Sequence, residues 1–117
     1  MKRNQGFTLI ELMIVVSIIA IIAAIAIPSL LNARKAGNEA SAISAMRTLT
    51  TVNEQYRTRF GTAAIGYSDD LTNLEAAGYI DSVLGTGSKS GYVFTYASPD
   101  RNTWTCSATP ETDGTTG

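Results

Sequence analysis

Apolar side chains dominate the N-terminal part of the chain. From residue 7 to residue 27 every position is apolar except Thr8, Glu11 and Ser17. As an α-helix this stretch would be about 31 Å long, close to the ~30 Å hydrocarbon thickness of a bilayer. A strand rarely exceeds about ten residues. Lys2 and Arg3 precede the stretch and favour a cytoplasmic N-terminus. The pattern therefore predicts a membrane-inserting helix over residues 7–28.

The next segment, residues 29–60, has the period of an amphipathic helix. Apolar residues return every three or four positions, and charged residues mostly lie elsewhere on the circumference. One stripe of this helix therefore requires a partner. Pro28, at the junction, lacks an N–H and clashes with the carbonyl of Ala24, which predicts a kink. The predicted stripe consists of Ala36, Ala40, Ile43, Met46, Leu49, Asn53, Tyr56 and Phe60.

Residues 61–91 are a mixed segment that connects the long helix to the end of the chain. The pattern predicts a loop over 61–67, a short helix over 68–78 and a flexible connector over 86–91. Ser68 or one of the two aspartates after it would cap the short helix. Glycine at its end would terminate it.

Residues 92–117 contain two candidate strands, 92–97 and 103–108, rich in aromatic and β-branched residues. The five residues between them predict a hairpin turn. The aromatic residues at alternate positions of the first strand should face the long helix, and the tail shows no convincing third strand. The predicted fold class is α+β: a long N-terminal helix, half membrane-spanning and half amphipathic, packed against a small antiparallel hairpin or sheet.

Composition narrows the chemistry that the chain can carry. It has nine Lys plus Arg, ten Asp plus Glu and no histidine. The lack of histidine removes the commonest general base and the commonest metal ligand. No phosphate-binding or nucleophile motif is present, and the single cysteine, Cys106, excludes an intrachain disulfide. We therefore expect no enzyme activity, no metal site and no cofactor.

A group of four basic residues is a candidate nucleic-acid site. The aromatic residues nearest to these cations in the sequence, Tyr56 and Phe60, already belong to the predicted helix stripe, which argues against nucleic acid as a partner. The cations concerned are Arg57, Arg59, Lys89 and Arg101.

Three fates are open to the apolar segment. A secretory signal cleaved after Ala26 would release a globular domain starting at Ile27, but the segment is long for such a signal and contains Glu11. A permanent signal anchor would keep Glu11 at the membrane interface without a partner. In the third fate, cleavage falls before the segment, after Gly6, and the helix stays in the product.

The third fate is the one that a known family follows. The stretch "KRNQGFTLIELMIVVSIIAIIAAIAIP", residues 2–28, resembles the N-terminus of type IV pilins and of the related pseudopilins of type II secretion. The shared features are a short basic leader ending in Gly6, then Phe7, then Glu11 four residues on, and Pro28 at the far end. The likeness weakens beyond this segment. Many pilins close a C-terminal loop with two cysteines, so a single cysteine favours a type IVa-like pilin with a short head.

The resemblance implies roles for particular residues. Residues 1–6 would be a cytoplasmic leader that a prepilin peptidase removes after Gly6, and Phe7 would be N-methylated. In a filament, Glu11 would pair with the N-terminal amine of a neighbouring subunit, which would offset the cost of a carboxylate in the membrane and set the register. The helix would kink or melt at Pro28.

A narrow face of small residues runs along the same helix. Ala20 and Ala24 form a small-xxx-small pair, which allows close helix packing in lipid. Ser17 precedes them on this face. Simple alanine content in an apolar helix is an equal alternative.

The sequence thus predicts a structural subunit of a type IV pilus-like extracellular filament. Its precursor would lie in the bacterial inner membrane, and its partners would be further copies, the peptidase and the assembly machinery. A second chain that completes the head sheet is left open. Alternatives are a pseudopilin of a type II secretion system or a minor tip pilin that binds DNA or surfaces.

Overall fold

A computed structural model describes residues 6–60 and 66–117. The leader residues 1–5 and most of the loop predicted over 61–67 lie outside the described residues. The chain divides into an N-terminal unit that ends at Ala33 and a C-terminal unit over Arg34–Gly117. Within the described residues, three helices and one three-stranded sheet occur in an α+β arrangement, which confirms the predicted fold class.

Helix α1 spans Leu9–Phe60. Pro28 lies inside it, and the helix continues on both sides. In the N-terminal unit the side chains of α1 are almost all exposed, although most are Ile, Val, Leu or Met. α1 is long and apolar enough to cross a membrane. None of the residues in its most apolar stretch is buried within the described chain. Hydrogen bonds within the helix pair most of its backbone groups, so what remains uncovered is mainly its apolar side chains.

In the C-terminal unit α1 provides one side of a small core. Its buried residues are Ala42, Ala45, Leu49, Val52 and Asn53. The core is completed from the rest of the head by Leu71, Leu74, Ile80, Leu84, Tyr92 and Phe94.

The predicted stripe of α1 is therefore partly wrong. Leu49 and Asn53 are buried as expected, but Ala36, Ala40 and Ile43 are exposed, Ile43 by 54%. The sequence pattern favoured the larger apolar side chains, whereas the aromatic residues of the sheet pack into a cluster that contains the alanines at 42 and 45. Small residues let a sheet carrying aromatic rings approach the helix closely.

The short helices α2 (Leu71–Ala76) and α3 (Ser82–Gly85) begin at aspartate caps. Asp70 Oδ1 accepts the N–H of Asn73 at 2.9 Å, and Asp81 Oδ1 accepts the N–H of Leu84 at 2.8 Å. The N-cap of α2 is therefore Asp70, one of the two predicted aspartates, and not Ser68. Gly78 follows α2 with φ +81, the left-handed conformation that ends helices.

The sheet has the order β1–β2–β3 with antiparallel neighbours, over Ser88–Lys89, Tyr92–Asp100 and Thr103–Pro110. The two predicted strands are present but longer than expected, so the turn between them is shorter than five residues. Asp100 Oδ1 accepts the N–H groups of Asn102 and Thr103, each at 2.8 Å. The Asp100 side chain thus provides acceptors for two backbone N–H groups of the turn. The two strands can therefore extend to Asp100 and from Thr103.

Strand β1 lies inside residues 86–91, so the prediction of a flexible connector there is wrong. Ser88 pairs with Val93 and Lys89 with Tyr92. Ser90 and Gly91 between the strands have positive φ, at 54 and 75. A two-residue strand is too short to show a periodic pattern, so the sequence could not reveal it.

Tyr92, Phe94 and Tyr96 face the core as predicted, and the alternate residues of β2 are exposed. The Tyr96 hydroxyl reaches the Ser68 carbonyl oxygen at 2.8 Å and Asn53 Oδ1 on α1 at 3.1 Å. These contacts join sheet, loop and helix at one point. After β3 the tail returns to α1, where Asn38 Nδ2 donates to the Thr116 carbonyl at 3.0 Å.

Candidate processing and assembly site at the start of helix α1

The residues of the predicted cleavage site lie outside the helix. Gly6, Phe7 and Thr8 are not helical, and α1 begins at Leu9. Phe7 is 83% exposed, and a side chain at Gly6 would have no neighbour within 4 Å. The peptide bond between Gly6 and Phe7 is therefore accessible, and it is not held in a helical hydrogen-bonding pattern, both of which proteolysis requires.

Glu11 makes two reciprocal hydrogen bonds with Thr8. The N–H of Thr8 donates to Glu11 Oε2 at 2.9 Å, and the N–H of Glu11 donates to Thr8 Oγ1 at 3.2 Å. The Thr8 carbonyl accepts the first helical bond from Leu12 at 3.3 Å. This arrangement is a capping box, in which Thr8 is the N-cap and Glu11 the third helical residue.

The capping box explains part of why a carboxylate is tolerated here. It satisfies two of the N–H groups that a helix start leaves without partners. A negative charge in the first turn is also stabilised by the helix dipole, typically by about 0.3–1 kcal/mol at an exposed site. The predicted pairing of Glu11 with an amine of a neighbouring subunit involves a second chain and stays a prediction.

Sequence reasoning missed the capping box, although its signal is local. The residues Thr8 to Glu11 have the S/T-x-x-E pattern that precedes an apolar run. The partner of Glu11 within the chain therefore lies only three residues away, at Thr8.

The small-residue face remains a prediction. Ser17, Ala20 and Ala24 are all exposed on α1. The Ser17 hydroxyl donates to the Met13 carbonyl at 2.8 Å, so it is satisfied within its own helix. The hydroxyl therefore needs no partner in lipid, and this face presents small side chains only. Likewise, a kink or melting at Pro28 stays a prediction.

The head offers little sign of a metal or catalytic site. The described part of the chain contains no group of three or more Cys, Asp or Glu residues placed to hold a metal ion. Cys106 is half-buried on β3, and burial raises the pKa of its thiol. A thiol with a raised pKa is a weaker nucleophile at neutral pH because less thiolate is present.

The structure changes the argument about the basic patch without making it a binding site. It brings an aromatic residue to Arg57, whose guanidinium lies 5.0 Å from the centre of the Tyr67 ring. Arg57 Nη1 also donates to the Tyr67 hydroxyl at 3.1 Å, and that hydroxyl donates to Glu54 Oε1 at 2.7 Å. Arg57 thus belongs to a network that contains an acid.

The start of α1 thus combines an accessible peptide bond, a capped first turn and an exposed apolar helix. Residues 1–27 match the family model described as the prokaryotic N-terminal methylation motif.

The chain is also similar to the type IV wide pilus major component PilA4 of Thermus thermophilus. The two are 37% identical over 57 residues, which is 49% of this chain and 44% of the relative. The chain thus spans less than half the length of this relative. No solved structure matches the chain. Both matches cover less than half of this chain, and they relate part of it to the prepilin methylation motif and to a type IV pilin.

Proposed function

We propose that this chain is a structural subunit of a type IV pilus-like filament. Its precursor is inserted in the inner membrane, cut after Gly6 and N-methylated at Phe7. It is then polymerised through α1 into a filament at the cell surface. Its partners are further copies of the chain, the prepilin peptidase and the assembly machinery. The matched family is one of structural proteins, which supports a role without catalysis.

One observation carries this proposal. The N-terminal unit is a regular helix of apolar side chains that nothing in the described residues covers. Water is an unfavourable environment for such a surface, at about 25 cal/mol per Å². Lipid covers it before assembly, and the helices of other subunits cover it afterwards. The head, in contrast, has its own core, so each subunit brings a folded domain to the outside of the fibre.

Mass spectrometry of the N-terminal peptide from sheared surface filaments tests the proposal. We expect a peptide that starts at Phe7 and carries one additional methyl group. A start at Phe7 found only in the cell envelope would contradict the filament role and favour a pseudopilin or a minor subunit. A start at Ile27, or an intact Met1, would contradict the processing itself.

A pair of glycine variants supplies the control. Gly6→Val places a branched side chain next to the bond to be cut, so we expect the precursor to accumulate uncut. Gly37→Ala changes a glycine in α1 that likewise has no neighbouring atom within 4 Å. We expect that variant to be cut at the normal rate. Equal cleavage of both variants would place the processing site elsewhere.

A further inference from the structure

The outer edge of strand β3 is unpaired in the part of the chain that the structure describes. The sheet order gives β3 one neighbour, β2. The Phe94 N–H donates to the Gly87 carbonyl at 2.7 Å, on the β1 side, so the backbone groups of Phe94 point away from its β3 partner Ala108. The N–H and C=O groups of Ala108, and of Cys106 two residues before it, therefore point to the outer edge. Such an edge is able to pair with a further strand.

A groove of about 440 Å³ lies beside this edge, between β3 and α1. All the residues that line it belong to the C-terminal unit. Ile43 and Met46 on α1 and Ala108 on β3 contribute to its apolar surface, and Ile43 is 54% exposed. Cys106 and Ala108 face the core but are only half-buried. The described head thus leaves one flank of α1 uncovered.

The two flanks of α1 differ in their side chains. On the flank toward α3, the residues that line a second groove are small and polar: Ser41, Ser44 and Thr48. On the flank toward β3, the exposed Ile43 and the half-buried Met46 are large and apolar. The first flank is suited to water. The second loses free energy in water, at about 25 cal/mol per Å², and is suited to a partner.

We propose that this groove binds an extended segment of a different polypeptide, which pairs with β3 as a fourth strand and completes the head. Backbone hydrogen bonds to Cys106 and Ala108 hold the segment at the edge. Its large apolar side chains, at alternate positions, cover Ile43 and Met46. This site lies in the head, so it is a binding function beyond the proposed role of α1 in the filament.

Charges on the groove specify the segment further. Glu39 and Arg47 both line it, about 12 Å apart along the helix. Over residues 6–60 and 66–117, neither of them forms an ion pair. A segment that runs antiparallel to β3 spans 12 Å with roughly four residues. The matching segment therefore has a basic residue beside Glu39 and an acidic residue beside Arg47.

A second copy of this chain is a poor occupant of the site. Its β2 is already paired on both sides, and its β1 has only two residues. Its β3 would bring Cys106 and Ala108 to the groove, and these side chains are too small to cover Ile43 and Met46. The chemistry of the site therefore favours a different chain.

Hydrogen exchange of the full chain in detergent micelles, followed by NMR, tests the site. The probe is the end-blocked peptide Lys-Ile-Thr-Ile-Thr-Ile-Asp, and the control peptide has the same composition with its Ile residues consecutive. With the probe at about ten times its dissociation constant, we expect the Cys106 and Ala108 amides to exchange about ten-fold more slowly. The Ser107 amide faces β2 and should change less. The control peptide should protect neither edge amide.

Two variants remove the two features of the site. Ile43→Asp places a charge in the groove. Ala108→Pro removes an outward N–H at an edge position, where a strand tolerates proline. We expect each variant to abolish the protection of Cys106. Val83→Asp is the matched control, because Val83 is 52% exposed on α3 and does not line the groove, and it should behave as the unaltered chain.

Near-ultraviolet circular dichroism checks that each variant keeps a folded head. Ile43 is exposed, so Ile43→Asp still tests the groove if Ala108→Pro does not fold. No protection by the probe, or equal protection by both peptides, would overturn the inference. Protection that appears without peptide as the chain is concentrated would also overturn it, with a second copy as the occupant. The proposed function is tested separately, by the N-terminal peptide from filaments.

Discussion

The two halves of α1 are equally regular, but they differ in what covers them. Up to Ala33 nearly every side chain is exposed, although most are large and apolar. From Arg34 onward the side chains that are buried are mostly small, and they include alanine and asparagine. Burial within the chain thus does not follow the hydrophobicity of the helix. Among the described residues, the side chains of the most apolar half remain exposed, as the proposed burial in lipid and against other copies requires.

The comparison also separates two sources of helix stability. In water, most helical stability in proteins comes from tertiary packing of one face. Over residues 6–60 and 66–117, that source is present in the head half only. In the first half the backbone hydrogen bonds suffice once the surroundings are apolar, because no water competes for them. The capping box of Thr8 and Glu11 then matters most at the one end where the backbone N–H groups would otherwise lack acceptors.

The largest effect that tests this contrast is expected at Leu49, which is fully buried. Leu49→Ala should destabilise the head by about 2–5 kcal/mol, because it removes core contacts and leaves a cavity. Ile43→Ala, on the exposed side of the same half of α1, should change stability by no more than about 0.5 kcal/mol. Urea unfolding in detergent micelles, followed by near-ultraviolet circular dichroism, measures both. Similar losses for the two variants would show that the buried stripe has been assigned incorrectly.

A smaller loss is expected at the hydroxyl that joins sheet, loop and helix. Tyr96→Phe should cost about 1–3 kcal/mol, because the single O–H of Tyr96 is the buried donor nearest to the Ser68 carbonyl, at 2.8 Å, and that carbonyl loses it. The same unfolding assay measures it. Tyr92→Phe is a comparison variant on the same strand, and its loss should be smaller because the structure gives its hydroxyl no such pair of acceptors among the described residues.

The pH dependence of Tyr96 follows from its burial. Burial raises its pKa from 10.0 to about 12, so the folded chain keeps the phenol proton where the unfolded chain loses it. Stability from this group is complete below pH 10 and decreases as pH rises from 10 towards 12. We expect the decrease to be smaller in Tyr96→Phe. Parallel curves for the two proteins over this range would contradict the assignment.

The cap of α2 should contribute about 1 kcal/mol. Asp70→Ala removes the acceptor of the Asn73 N–H, a loss typical of N-cap substitutions. Hydrogen bonds from the Thr72 hydroxyl and then the Asn73 N–H hold the pKa of Asp70 below 3.8. Its contribution is therefore present above pH 3.8 and is lost as pH falls below that value. The difference in stability between Asp70→Ala and the unaltered chain should accordingly shrink in acid, which unfolding at pH 7 and pH 3 will show.

The smallest effect is expected at Asn53, although this residue is as buried as Leu49. Its Nδ2 has no hydrogen-bond partner in the described part of the chain, and such a donor costs about 1–3 kcal/mol. Asn53→Leu removes this cost, and Tyr96 keeps the Ser68 carbonyl. We expect the stability to change by less than about 1 kcal/mol in either direction. A loss as large as that of Leu49→Ala would mean that the amide has a partner essential to the fold.

Local signals in the sequence were sufficient for the long helix and for the two main strands. The apolar length before residue 28 and the aromatic alternation after residue 92 are both periodic over many residues. Even the missed capping box was local, since Thr8 and Glu11 are three residues apart. Shorter elements could not be predicted from the sequence. Strand β1 has only two residues, and its pairing depends on the turn at Ser90 and Gly91.

The sequence by itself determined that the N-terminal part of this protein is one long apolar helix, although the predicted start at residue 7 lies two residues before the observed start at Leu9. The length of an apolar stretch and the residues that cap a helix are local properties of the sequence. They can therefore be recognised without knowing how the chain folds. Only the tertiary structure decided which stripe of α1 is buried, that Asn53 meets Tyr96, and that Arg57 meets Tyr67. Those contacts join residues far apart in the sequence, and the choice between two similar faces of a helix depends on the shape of what packs against it.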